Sequence, residues 1–268
     1  MNGFDSEEQI EKFALKFLHH QDDVGKFIKF LFERGLWGLA KIPLLLLMLC
    51  LAWKDKENPE LLTSRADLYK SFFDTLFDHV AAKNPEQTFT SVDEYEEDLS
   101  KLGKLAFDAL MEDCLYFKLS KLPEDIRALI EKFMSVGFFQ ISNLSSSRRP
   151  EQGVFLLHKT IQEFLSAWFI VQELTSAKEG ELTCLSQIDS FEKVKTMVEV
   201  LKFVCELSSE ATSAVLSHLR VIGEKEGLIE CSFTETPSVE DLSVDQREFR
   251  RISLDCLLCC PASGRQDI

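Results

Sequence analysis

Twelve consecutive uncharged residues, IPLLLLMLCLAW from Ile42 to Trp53, stand between Lys41 and Lys54. A bilayer span needs about 20 such residues, so this run is too short to cross a membrane. It is equally too apolar to lie on a water-facing surface, and it reads as a helix buried on every side. Pro43 fits its first turn, where a missing N–H leaves nothing unpaired. A helix with no polar face needs apolar neighbours all round it, and the flanking sequence supplies them. Ser6-Glu-Glu-Gln9 is a capping box, followed by Ile10, Phe13, Ala14, Phe17 and Leu18 on one helical face. Val24, Phe27, Ile28 and Leu31 predict a second helix, punctuated by Gly35. After an Asn-Pro loop, Leu68, Tyr69, Phe72, Phe73, Leu76, Phe77 and Val80 form a broad apolar stripe on another. Residues 1–90 therefore read as a small all-helical bundle.

The polar, acidic stretch from Asn84-Pro85 to Glu97 reads as a linker. Beyond it, Leu102, Leu105, Ala106, Ala109 and Leu110 predict one helix. Ile126, Leu129, Ile130, Phe133 and Met134, opened by Pro123 and closed by Gly137, predict the next. FFQISNL then reads as a strand, SSSRRPEQG as an exposed turn and VFLLH as a returning strand. Thr160-Ile-Gln-Glu163 looks like a capping box for a helix that buries Ile161, Phe164, Leu165, Trp168 and Phe169. Helix, helix, strand, wing, strand, helix is the order of a winged-helix domain with a two-stranded β-hairpin, over residues 91–176. From residue 177 to 268 the chain is helical again, with Phe191, Val194, Val198 and Leu201 on one face and a weaker helix from Ser209 to Leu219. After Gly227 the pattern thins, and a last helix around Phe249–Leu258 runs into a tail that looks cut off rather than capped. The expected fold is mainly α: a helical bundle, a winged helix and a second, superhelical domain.

With 45 acidic against 30 basic residues the net charge is −15, which repels nucleic acid and anionic membranes unless basic residues cluster. Arg148-Arg149 and Arg250-Arg251 do not grow into such a cluster. Most of the eight cysteines sit inside apolar helical patterns, as Cys50, Cys114 and Cys205 do, and read as small buried hydrophobes. The acidic opening MNGFDSEEQ carries no signal-peptide pattern, so a reducing, cytoplasmic setting is expected. Cys256, Cys259 and Cys260 have ligand-like spacing without a second Cys/His pair, so no metal site is expected.

No G-x-x-x-x-G-K-[ST] loop is present: Gly25-Lys26 and Gly103-Lys104 are followed by Phe and Leu, and no strand ends in an acidic pair. The chain by itself is not expected to hydrolyse a nucleotide. G-x-S-x-G and H-E-x-x-H are also missing, and His19, His20, His79 and His218 read as surface residues on helices. No catalytic residue is expected.

One histidine is placed differently. His158 stands in GVFLLHKTIQEFL, at the joint between a strand and a helix. The phrase LLHKTIQEFLSAWFIVQEL resembles the end of the winged helix of NOD-like receptors, the NACHT class of STAND ATPases. The likeness continues in that family's order. MNGF with its acidic helix resembles the segment after the nucleotide-binding sheet, AKIPLLLLMLC the first helical domain and DLYKSFFDTL its last helix. LGKLAFDALMEDCLYF and ALIEKFMSVGFFQIS resemble the winged helix; VLKFVCELSSEATSAVLSHL and GLIECSFTETPS resemble the second helical domain. The resemblance implies that His158 contacts the β-phosphate of bound ADP and that Pro43 packs near the adenine, although Ile42 stands where the family often has Gly.

A histidine before a helix N-terminus also suits an anion on physical grounds, because the orphan N–H groups and the dipole point there. The plainer alternative is that His158 bonds a neighbouring backbone group and Pro43 merely starts a helix. The Walker motifs are absent, so ADP or ATP is expected only with a nucleotide-binding domain supplied in cis or in trans. The expected role is the regulatory, autoinhibitory segment of an innate-immune receptor, with that domain and other NOD-like receptors as partners. The alternatives are a stand-alone helical interaction or decoy module and, from fold analogy alone, a DNA-binding winged helix. Acidic Glu124, Asp125 and Glu131 on the candidate recognition helix oppose the last.

Overall fold

The computed structural model describes residues 3–34, 36–54, 64–83, 95–134, 137–144, 151–156, 158–177, 183–229 and 242–261. They are mainly helical, with one small antiparallel sheet, and they form two compact units, Met1–Glu94 and Tyr95–Ile268. The sequence reading places domain boundaries after residues 90 and 176.

In the first unit, α1 (Glu7–Leu18), α2 (Gln21–Glu33), α3 (Trp37–Ala40) and α5 (Arg65–Lys83) accompany α4 (Pro43–Lys54). α4 packs against α1, α3 and α5. Leu45, Leu46, Met48, Leu49 and Cys50 are buried, and Trp53 meets the rings of Phe27 and Phe30 from α2. Burial pushes the Cys50 thiol up to about 12, so it behaves as a packing group. Pro43 is the first helical residue and half-buried. The chain ahead of α1 is tied to this corner: Phe4 N–H donates to the Lys41 carbonyl at 2.7 Å. A Cβ on Gly3 would come within 2.6 Å of the same oxygen, so only glycine fits there. Ser6 caps α1 as read, accepting from Gln9 N–H, but the Gln9 amide oxygen accepts from Asp5 N–H rather than from Ser6. The Asn-Pro loop and Gly35 lie outside the described residues, as does the linker from Asn84 to Glu94.

The second unit runs α6 (Glu96–Met111), β1 (Tyr116–Lys118), α7 (Glu124–Met134), β2 (Phe139–Leu144), β3 (Glu151–Leu156), α8 (Lys159–Ser176), α9 (Phe191–Leu207), α10 (Ser209–Lys225) and α11 (Val244–Cys259). The expected hairpin of two strands is corrected to three, in the order β1-β3-β2, with Phe117 opposite Val154 and Ile141 opposite Val154 on its other edge. β1 is only three residues long, too short for an alternating pattern to show. The returning strand begins earlier than read, at Glu151; Arg148 and Arg149 lie outside the described residues.

α8 is the centre of this unit, packed against α6, α9 and α10. It comes close to α6 at Gly103, where a Cβ would run into the Leu165 carbonyl and come within 2.8 Å of the Phe169 Cβ. Gly103 thus marks close contact between the two helices. No helix among the described residues is long and apolar enough to cross a membrane.

Candidate functional site

The joint that carries His158 is built from both sides. β3 ends at Leu156, and His158 is extended, with φ −155° and ψ 150°, immediately before the helix starts at Lys159. Extended backbone at that position is what an N-cap requires, and the imidazole takes the part usually played by a hydroxyl or carboxylate. Its Nδ1 accepts from Thr160 N–H at 3.2 Å and lies 2.9 Å from Thr160 Oγ1. The cap is therefore His158, and the expected capping box from Thr160 to Glu163 is corrected. Thr160 is the second helical residue, already inside the turn whose start it was read to mark.

The bond to Thr160 N–H fixes the chemistry of the ring. Nδ1 accepts, so it carries no proton, and in the neutral imidazole the proton sits on Nε2. Nε2–H has no hydrogen-bond partner among the described residues and His158 is solvent-exposed. Partial burial holds the His158 pKa below the ordinary imidazole value, which favours this neutral form. The plain reading, a bond to neighbouring backbone, and the functional one, a donor for a ligand, thus use different nitrogens of one ring.

One turn along, the helix is held in place by polar groups. Gln162 is buried, and its Nε2 donates to the carbonyls of Ala106 at 3.4 Å and Cys114 at 3.1 Å. Ser166 Oγ, also buried, donates to the Gln162 carbonyl at 2.7 Å. Glu163 is 6% exposed and lies 3.5 Å from the Lys159 ammonium. Gln162 and Ser166 fall outside the face read as buried, and Glu163 was read only as part of the capping box. The helix start, the Nε2–H of the exposed ring and the Lys159 cation favour an anion near His158, while the Glu163 carboxylate opposes it.

Pro43 belongs to the first unit and His158 to the second, each described within its own unit. His19 and His20 are exposed but lie between α1 and α2 rather than on a helix. His218 is half-buried, its Nε2 2.8 Å from the Ile188 carbonyl, so it ties α10 to the segment ahead of α9, which corrects its reading as a surface residue. The side chain of His79 lies outside the described residues. Cys114 is half-buried and donates its S–H to the Tyr116 carbonyl at 3.0 Å, which corrects its reading as a buried hydrophobe. No group of three or more metal-ligating side chains is brought together among the described residues.

An open cleft of about 260 Å³ lies beside β1, lined by Leu105, Ala109, Cys114, Tyr116, Lys118 and Lys121 among others, and His158 is not in its lining. A second, between α6 and α8, is acidic, with Glu96, Glu97 and Glu173 around Phe169. Neither cleft carries a nucleophile paired with a base. No family model matches the chain, and no curated protein matches it either.

Proposed function

We propose that this chain is the regulatory segment of a NOD-like, NACHT-type receptor, whose His158 donates from Nε2 to the terminal phosphate of bound ADP in the closed state. The observation that carries the reading is the cap at α8: Nδ1 is occupied by Thr160 N–H, which leaves the Nε2 proton of an exposed ring at a helix start. The element order from α6 to α8, with its three short strands, is compatible with the winged helix this reading needs. Pro43, at the first turn of α4, is the proposed adenine neighbour. The nucleotide-binding domain that grips phosphate and magnesium is a separate partner, joined in cis or in trans, in the cytoplasm. The segment itself performs no hydrolysis, and it swings away on activation to permit oligomerisation.

Calorimetric titration with ADP tests this. The chain alone should show no tight binding; with a NACHT nucleotide-binding domain supplied, binding should appear. His158→Ala should then weaken it by tenfold or more, since a hydrogen bond to a charged group contributes about 1.5–3 kcal/mol. Tight binding to the chain alone, or binding indifferent to His158→Ala, would refute the assignment.

A second reading, a helical module that engages intact receptors, is favoured by one observation. Leu254 and Leu258 lie one turn apart on α11, 53% and 54% exposed. In a pull-down with an intact receptor, Leu254→Glu should abolish capture under this reading and leave it unchanged under the first.

A further inference from the structure

Two surfaces of the second unit carry opposite charge around an apolar centre. The first is on α11, which buries Phe249, Ile252 and Cys256 and packs against α9 and α10. On its other face Leu254 and Leu258 are exposed, and so are Arg247 and Arg250 beside them. Arg251 is held by Glu248 at 3.7 Å and Asp255 at 3.5 Å, whereas Arg247 and Arg250 form no ion pair among the described residues. The second surface is the acidic groove of about 410 Å³ between α6 and α8, with the half-buried Phe169 in its lining. Glu97 there is paired with Lys101 at 2.7 Å. Glu96 accepts from the Gln172 amide and Glu173 from Cys184 N–H at 2.6 Å. Those donors are neutral, so neither carboxylate is balanced by a cation among the described residues. Lys104, 5.7 Å from the Phe169 ring, is answered by Asp108 at 3.3 Å.

We propose that the exposed face of α11 in one copy of this chain docks in the α6–α8 groove of a second copy, Leu254 and Leu258 against Phe169, and Arg247 and Arg250 against Glu96 and Glu173. Charge complementarity selects this partner. Two α11 faces brought together would set guanidinium against guanidinium, and two grooves would set carboxylate against carboxylate. Only the unlike pair brings each unbalanced charge to its opposite. The contact is between copies because the other face of α11 is committed to α9 and α10 of its own chain. Each copy carries both a helix to give and a groove to receive, so the contact repeats from copy to copy. One helix face in one groove is a small interface, which makes the association weak and its charge part sensitive to salt. It requires no nucleotide, and it therefore stands apart from the reading of His158.

Sedimentation velocity on the full chain tests this. The weight-average sedimentation coefficient should rise from low to high micromolar concentration and fall back toward the monomer value as sodium chloride is added. Arg247→Glu with Arg250→Glu should lose the rise, and so should Glu96→Arg with Glu173→Arg. Mixed in equal amounts, the two variants should regain it, because each then offers the other an opposite charge. Glu173 also holds the Cys184 N–H, so Glu96→Arg alone, at an exposed position, repeats the loss without touching that bond. A chain that stays monomeric throughout overturns the proposal. Association indifferent to salt or to these substitutions overturns it too, as does a mixture of the two variants that stays monomeric while each keeps the melting temperature of the parent.

Discussion

Two helices of this molecule are buried almost all round, α4 in the first unit and α8 in the second, and they are buried by different means. The fully buried side chains of α4 are leucine, methionine and cysteine alone, and its Trp53 adds an apolar ring contact with Phe27 and Phe30. α8 buries Gln162, Glu163 and Ser166 beside Ile161, Phe164 and Leu165. Hydrophobic burial has no direction, so α4 is placed by shape and volume. Buried polar groups must be paired, so Gln162 fixes α8 in rotation and in height against the carbonyls of Ala106 and Cys114. His158 sits one turn from that tie, and the precision of its position is inherited from it.

The comparison can be broken by substitutions that change volume and hydrogen bonding separately. Leu46→Ala in α4 should cost the most, about 2–5 kcal/mol by chemical denaturation, because a cavity opens in a fully buried position. Leu46→Met should cost under about 1.5 kcal/mol, since volume is kept. Next comes Gly103→Ala, at about 3 kcal/mol, because its Cβ meets the backbone of α8 rather than a movable side chain. Gln162→Leu keeps volume as Leu46→Met does, yet it should cost about 1–3 kcal/mol by removing the donor to two carbonyls. Equal costs for Gln162→Leu and Leu46→Met would erase the distinction between the two helices.

The smallest effect belongs to the cap. His158→Ala should cost about 1 kcal/mol of thermal stability, and His158→Asn should recover most of it. Acid should act on the same bond. The folded His158 pKa lies below the ordinary value of 6.5, so the unfolded chain takes up the proton more readily. The cap's contribution is full above that value and is lost as pH falls through the folded pKa, when Nδ1 can no longer accept from Thr160. His158→Asn should be less sensitive across that window, and an identical pH profile would show that the ring does not accept.

Much of the helical framework was legible because its signals are local. The faces carrying Ile10, Phe27, Phe73 and Phe164 repeat at helical spacing, and Pro43 stands where a helix start tolerates it. What was not legible depends on partners far along the chain. β1 is a strand because β3 lies beside it, and Gln162 is buried because α6 ends where it does. Gly103 reads as a failed phosphate loop until Leu165 is placed against it. At the candidate site the histidine itself was visible, but not that its ring caps the helix. The usual cap residues are Ser, Thr, Asp and Asn, and Thr160 offered a plausible wrong choice two residues on.

The tautomer of His158 tests the central claim most directly. A long-range 15N–1H correlation spectrum at neutral pH, assigned by comparison with His158→Asn, reports which ring nitrogen holds the proton. The account predicts an unprotonated Nδ1 and a protonated Nε2, the form that caps α8 and still offers a donor to an anion. A proton on Nδ1, or a ring averaging between the two forms, would contradict it.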